Sequence, residues 1–177
     1  MLHRLFEAAR WASSSFNEQP WSFIVADKTD QDAHQAIAEC LVDANRKWAQ
    51  HAPVLMVSVA KLTFDRNGKA NRHAYYDLGQ AVATMLVQAT DLELVAHQMA
   101  GFDQDEARRA LQIPDNHDPV AVIALGYPGD AESLPLELQN AEYEPRERKN
   151  FNEFVWSGSF GNPMPFESRV KRALEGN

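Results

Sequence analysis

Two hydrophobic rhythms alternate along the chain: apolar residues at helical spacing, and short unbroken apolar runs of strand length. Leu2, Leu5, Phe6 and Ala9 recur at helical spacing with polar residues between them, which predicts a helix at the start. Nothing precedes it to cap its first N–H groups. Such an opening reads either as the loss of an upstream segment or as a helix start satisfied by solvent. Residues 13–20 break the helix, and the apolar run 22–26 predicts a strand. Thr29 or Asp30 can cap a second helix, whose apolar stripe is Ala33, Ile37, Cys40, Leu41, Ala44 and Trp48. Pro53 ends that helix and opens a β-branched run, 54–60, that reads as a buried strand.

The segment 64–71 is polar, with Asn67-Gly68 as a turn. The helix predicted over 72–92 is the strongest in the chain: Leu78, Ala81, Val82, Met85, Leu86 and Ala89 share one face. A short strand follows at 95–99. Asp103 with Glu106 forms a capping-box-like start to a helix reaching Leu111. Pro119 leads into a buried strand at 120–125, and 133–142 reads as a short acidic helix. Beyond Pro145 the apolar residues, among them Phe151, Phe154, Trp156 and Phe160, follow no period and are scattered among Gly and Pro. A tail of this kind cannot build its own core; it must pack on the body of the protein or on a second subunit. The order of elements predicts one layered domain over 1–177, a central sheet with helices on its faces. Spacing leaves the strand directions open.

Composition narrows the function. The chain has 177 residues, 45% of them hydrophobic and 24% charged, which suits one globular domain. Its formal net charge of −8 argues against nucleic acid and anionic membranes as partners. The apolar runs are far shorter than the roughly 20 residues of a membrane helix. A lone cysteine, Cys40, excludes an internal disulfide framework and a cysteine-based zinc site. Together these predict a cytoplasmic protein. There is no phosphate-loop motif, no G-x-G-x-x-G after a strand and no nucleophile elbow. The six histidines never pair at metal-ligand spacing, and only His97 lies in an otherwise apolar segment.

The informative segment is Ser13-Ser-Ser-Phe-Asn-Glu-Gln-Pro-Trp21, between a helix and a strand. Its uncharged donors and acceptors would match a ligand rich in hydroxyls and ring amides. By composition alone the favoured reading is a helix-ending turn whose side chains satisfy local backbone groups. The stretch Ala-Ser-Ser-Ser-Phe-Asn-Glu-Gln-Pro-Trp-Ser-Phe resembles the Pro-Ser-Ser-x-Asn-x-Gln-Pro-Trp-x-Phe signature of the nitroreductase family of FMN-dependent oxidoreductases. Tyr76-Asp-Leu-Gly-Gln-Ala-Val resembles the start of that family's long central helix, and His97-Gln-Met-Ala-Gly-Phe-Asp the loop beside its flavin ring. The three stand in the family's order and at its separations.

The resemblance implies an α+β fold: a central, mostly antiparallel sheet flanked by helices, in an intertwined homodimer. The tail 145–177 would then pack on the partner subunit, and two FMN molecules would lie at the interface. Ser14, Ser15 and Asn17 match positions that reach the flavin from the neighbouring subunit; Ser13 stands where the signature has Pro, and Gln19 would also hold the loop. Asn45 matches an Asn that hydrogen-bonds the ring; without the family it is an ordinary helix Asn. Gln98, Met99, Ala100 and Gly101 match the loop over the reactive edge, with a backbone N–H near Ala100 or Gly101 aimed at flavin N5. Arg146 and Arg148 match a basic pair that grips the FMN phosphate; without the family they are a solvated charge cluster. NAD(P)H would be the electron donor and an electron-poor small molecule the acceptor. No side chain is implied as acid or base, and Phe64, His73, Tyr75 and Tyr76 lie where a substrate channel would open. Family members usually begin with an Arg-x-Ser-x-Arg segment that this chain does not contain. The alternative is therefore a degenerate, non-catalytic flavin-binding homodimer with weakened FMN affinity.

Overall fold

A computed structural model of the chain describes residues 1–166. Two compact units emerge, Met1–Asp130 and Ala131–Asn177. The first contains five α-helices and four strands, in the order α1 (Leu2–Arg10), β1 (Trp21–Asp27), α2 (Gln31–Glu39), α3 (Asp43–Ala49), β2 (Val54–Lys61), α4 (Ala74–Asp91), β3 (Val95–Met99), α5 (Gln104–Ala110) and β4 (His117–Gly126), with a 3-10 turn at Ser15–Asn17. The strands form one sheet in the order β1-β2-β4-β3, antiparallel at every pairing. The expected α+β architecture is therefore present.

Side-chain alternation along β2 divides the interior. Leu55, Val57 and Val59 point to one face, where Ile37 and Ala38 of α2, Ala49 of α3 and Ala107 of α5 bury against them. Met56 and Ala60 point to the other, under Leu5 and Ala9 of α1 and the buried stripe of α4. The protein is thus three layers, with α2, α3 and α5 on one side of the sheet and α1 and α4 on the other. Among the described residues no helix is long and apolar enough to cross a membrane.

Three boundaries differ from the pattern-based expectation, each for a physical reason. The stripe from Ala33 to Trp48 is two helices rather than one. At Cys40–Val42 the backbone leaves the helix to pair with another segment: Leu41 bridges Phe102, Cys40 O accepts from Asp103 N at 2.8 Å, and Val42 N donates to Gly101 O at 3.1 Å. Strand β4 begins at His117, three residues before the expected 120. Pro119 is accommodated by a bulge, since Val59 pairs with Pro119 and Ser58 with Ala121, leaving Val120 unpaired. The acidic helix α6 spans Leu136–Tyr143, because Pro135 takes its N-cap position and Ala131–Ser133 forms a separate 3-10 turn.

In the second unit no described residue is buried. Phe151 contacts Phe154 and Phe166 at centroid distances of 5.8 and 5.3 Å, and Trp156 contacts Phe160 at 5.4 Å. These are local clusters without a core. Residues 167–177 of the expected tail lie outside the described residues.

Candidate functional site

The loop between α1 and β1 is held in an unusual backbone. Phe16, Asn17 and Gln19 all lie in the left-handed region, at φ of 57°, 56° and 52°. For non-glycine residues this conformation is uncommon and costs about 1 kcal/mol or more each, least for Asn. Three such residues within four positions require outside support, and the support is visible. Ser15 N donates to the carboxylate of Asp77 at 2.9 Å. Gln19 N donates to Ser14 Oγ at 3.0 Å, and Gln19 Nε2 donates to Asn17 O at 3.0 Å. At its far end Pro20 O accepts from Lys61 N at 2.9 Å, tying the loop to the edge of β2.

Asp77 is the residue that sequence reasoning missed. It is only 2% exposed, and no Lys or Arg pairs with it among the described residues. Its place in the first turn of α4 sets the carboxylate at the positive end of the helix. The signal was present in the pattern, since Asp77 falls on the same buried stripe as Leu78 and Ala81.

A second polar locus forms where β3 ends. Gly101 O accepts from both Val42 N at 3.1 Å and Asn45 Nδ2 at 3.0 Å. The break between α2 and α3 creates this contact, because it turns the first residues of α3 onto the 100–103 segment. The approach is close enough to require glycine: a Cβ at Gly101 would sit 2.7 Å from Asn45 Nδ2 and 3.0 Å from Val42 Cγ2. The Gly101 N–H makes no hydrogen bond among the described residues. Gln98 and Ala100 are exposed, whereas the Met99 side chain is buried in the core on the α2, α3 and α5 side. Met99 therefore has only its backbone to offer a ligand.

The sequence-derived residues thus gather in separate places. Ser14, Ser15, Asn17 and Gln19 share the loop pinned by Asp77, on the side of the sheet that carries α1 and α4; Ser13 adjoins them, exposed. Asn45, Gln98, Ala100 and Gly101 gather by α3. Arg146 and Arg148 belong to the second unit and are exposed, with Arg148 Nη1 donating to Glu147 O at 2.8 Å. Between α4 and β4 a further network links Tyr75 Oη to Asp118 at 2.5 Å and Asp118 to Arg108 Nη2 at 2.7 Å. The Asp118 carboxylate, by accepting from the Tyr75 hydroxyl, pushes the phenol above its usual range.

The nitroreductase family model matches residues 1–127. An uncharacterized 15.4 kDa protein of Mycolicibacterium smegmatis is 32% identical over 148 residues, spanning 80% of this chain and 99% of that protein. An NADH dehydrogenase of Thermus thermophilus is 27% identical over 172 residues, spanning 77% of this chain and 82% of its own length. A solved oxidoreductase containing FMN shares the fold at a TM-score of 0.85 and 31% identity, over 91% of this chain and 82% of that one.

Proposed function

The chain belongs to the nitroreductase family and is a flavin-dependent oxidoreductase using FMN and NAD(P)H; on that premise we propose that it reduces an electron-poor small molecule, such as a quinone or nitroarene, as a homodimer. The residues of the two loops would hold FMN, which would supply the redox chemistry: hydride transfer from NAD(P)H to the acceptor by way of flavin N5, in a ping-pong cycle through one site.

The observation that carries this reading is the 14–19 loop, whose strained backbone is pinned by a buried carboxylate while Ser15 and Asn17 keep their polar side-chain groups and Ser14 keeps its O–H donor beside the bond its Oγ accepts. Hydroxyls of Ser14 and Ser15 and the Asn17 amide offer uncharged donors and acceptors suited to a flavin ring's carbonyls and nitrogens. Gln19 spends its Nε2 on Asn17 O and so acts mainly to hold the loop. Asn45 commits its Nδ2 to Gly101 O, leaving Oδ1 to accept from a ring N–H. The free Gly101 N–H is a donor suited to the ring's reactive edge, where it would stabilise negative charge. Arg146 and Arg148 would take the phosphate, a bidentate task that suits guanidinium. Both loops thus present the donor set that a flavin needs, and no side chain need move a proton.

A homodimer accounts for two further features. The serine loop and the Asn45–Gly101 locus belong to opposite helical layers, so two copies facing each other could unite one of each. The outer face of α4 is also left apolar, with Tyr76 70% and Val87 73% exposed, and open space at Gly79 between them. A second copy would cover that face.

Initial rates measured while NAD(P)H and a neutral quinone are both varied test the proposal. A ping-pong cycle gives parallel double-reciprocal lines; intersecting lines, or no turnover by flavin-loaded protein, contradict it. Joint replacement of Ser15 and Asn17 by alanine should weaken FMN retention without unfolding the chain, because Asp77 holds the Ser15 backbone rather than its side chain.

A further inference from the structure

Beside the serine loop stands a basic hairpin in an acidic chain. Residues 61–73 carry Lys61, Arg66, Lys69 and Arg72 against a single carboxylate, Asp65, although the net charge of the whole is −8. Asp65 is already paired with Lys61. Phe64 N donates to Lys69 O at 2.8 Å, Thr63 bridges Ala70, and Gly68 closes the turn at φ 68°. The hairpin is clasped to the loop at two points. Asp65 N donates to the Glu18 carboxylate, and Phe64 meets Phe16 edge-on with centroids 6.0 Å apart.

Arg66 completes the clasp. Its guanidinium carbon lies 3.7 Å from the centroid of Phe16 and 5.2 Å from that of Phe64. It is exposed, and it makes no hydrogen bond or ion pair among the described residues. A guanidinium lying against aromatic rings keeps its orientation while its N–H donors remain unspent. That is a prepared receiver for a phosphate or carboxylate, which it can bind through two parallel hydrogen bonds. Phe16 stands between Ser15 and Asn17, so an anion held by Arg66 belongs to a molecule entering beside that loop.

We infer that Arg66 is an anion-reading residue of this site: it takes a phosphate or carboxylate carried by the reductant or the acceptor, and so sets the preference for the charged member of a ligand pair. The inference rests on the proposed function, and the test separates the two. The FMN-loaded protein and its Arg66→Gln and Arg66→Lys variants are compared on two pairs: NADPH against NADH with a neutral quinone, and 4-nitrobenzoate against 4-nitrobenzamide with NADH. Gln keeps a planar group over Phe16 and removes the charge. In one of the pairs Arg66→Gln should raise KM for the charged member relative to the neutral one by about tenfold or more, with the change in KM rather than kcat. Arg66→Lys should restore part of it. The first pair responding identifies the reductant's phosphate as the anion; the second identifies the acceptor's carboxylate.

The inference is overturned if Arg66→Gln leaves both ratios unchanged, or lowers only the FMN content, which would make Arg66 a clamp for the loop alone. If the unsubstituted protein holds no FMN, the proposed function fails separately. Inorganic phosphate titrated against the flavin-free chain then decides the inference. A saturable shift of the Arg66 Nε–H resonance, identified by its loss in Arg66→Gln, supports it, and no saturable shift overturns it.

Discussion

Replacing Asp77 with alanine is the sharpest perturbation of the serine loop, because it touches none of the side chains proposed to meet the flavin. The wild-type carboxylate is 2% exposed and accepts from Ser15 N at 2.9 Å. Its loss strands that N–H and removes the hydrogen bond it makes, together a cost of about 2–3 kcal/mol. The loop has little reserve to absorb this, since Phe16, Asn17 and Gln19 already hold left-handed backbone. None of the remaining ties anchors it to α4: Gln19 N to Ser14 Oγ and Gln19 Nε2 to Asn17 O lie within the loop, and the contacts of Phe16, Glu18 and Pro20 run to β2 and the 61–73 hairpin. If about 2 kcal/mol of loop order must be restored on binding, the FMN dissociation constant rises roughly thirtyfold. Asp77→Asn, which keeps a neutral acceptor, should fall between the two. The assay is a titration of flavin fluorescence, run beside urea unfolding to show that each variant is folded. Asp77→Ala protein that binds FMN within about twofold of wild type would refute the claim that this carboxylate organises the site.

Gly101→Ala places a Cβ 2.7 Å from Asn45 Nδ2 and should cost about 1–3 kcal/mol in urea unfolding; adding Asn45→Ala should recover part of that loss, because the clash is with the Asn45 side chain. Burial, and then the charge of Lys61, lower the His117 imidazole below its usual value near 6.5, so its stabilising contribution is complete above that pH and is lost as pH falls through the lowered folded value. His117→Gln should therefore narrow the drop in urea midpoint that the wild type shows between roughly pH 7 and pH 5. Val87→Glu, on the exposed face of α4, should convert a dimer to monomer by light scattering, and an unchanged mass would show that α4 does not face the partner.

The elements that could be read from the sequence are those in which local pattern and tertiary packing agree. Strand β3 falls at Val95–Met99 as expected, and α4 follows its apolar stripe closely. The break between α2 and α3 could not be read, because Cys40 and Leu41 do point into the core as the helical stripe requires. Their backbone instead pairs with residues 102 and 103, some sixty positions away, and no local period records such a partner. The site divides in the same way. The serine loop stands out through its family resemblance rather than its composition, whereas its support shows only in the place of Asp77 on the buried stripe of α4. At Met99 strand alternation sends the side chain into the core, so only its backbone is open to the role that the loop motif implies.

The most direct measurement is the visible spectrum of the chain after loading with FMN and exhaustive desalting. Retained flavin near one FMN per chain, lost in Asp77→Ala and reduced when Ser15 and Asn17 are both alanine, is the predicted result. A folded, colourless protein that cannot hold added FMN would contradict the assignment of these loops to the flavin.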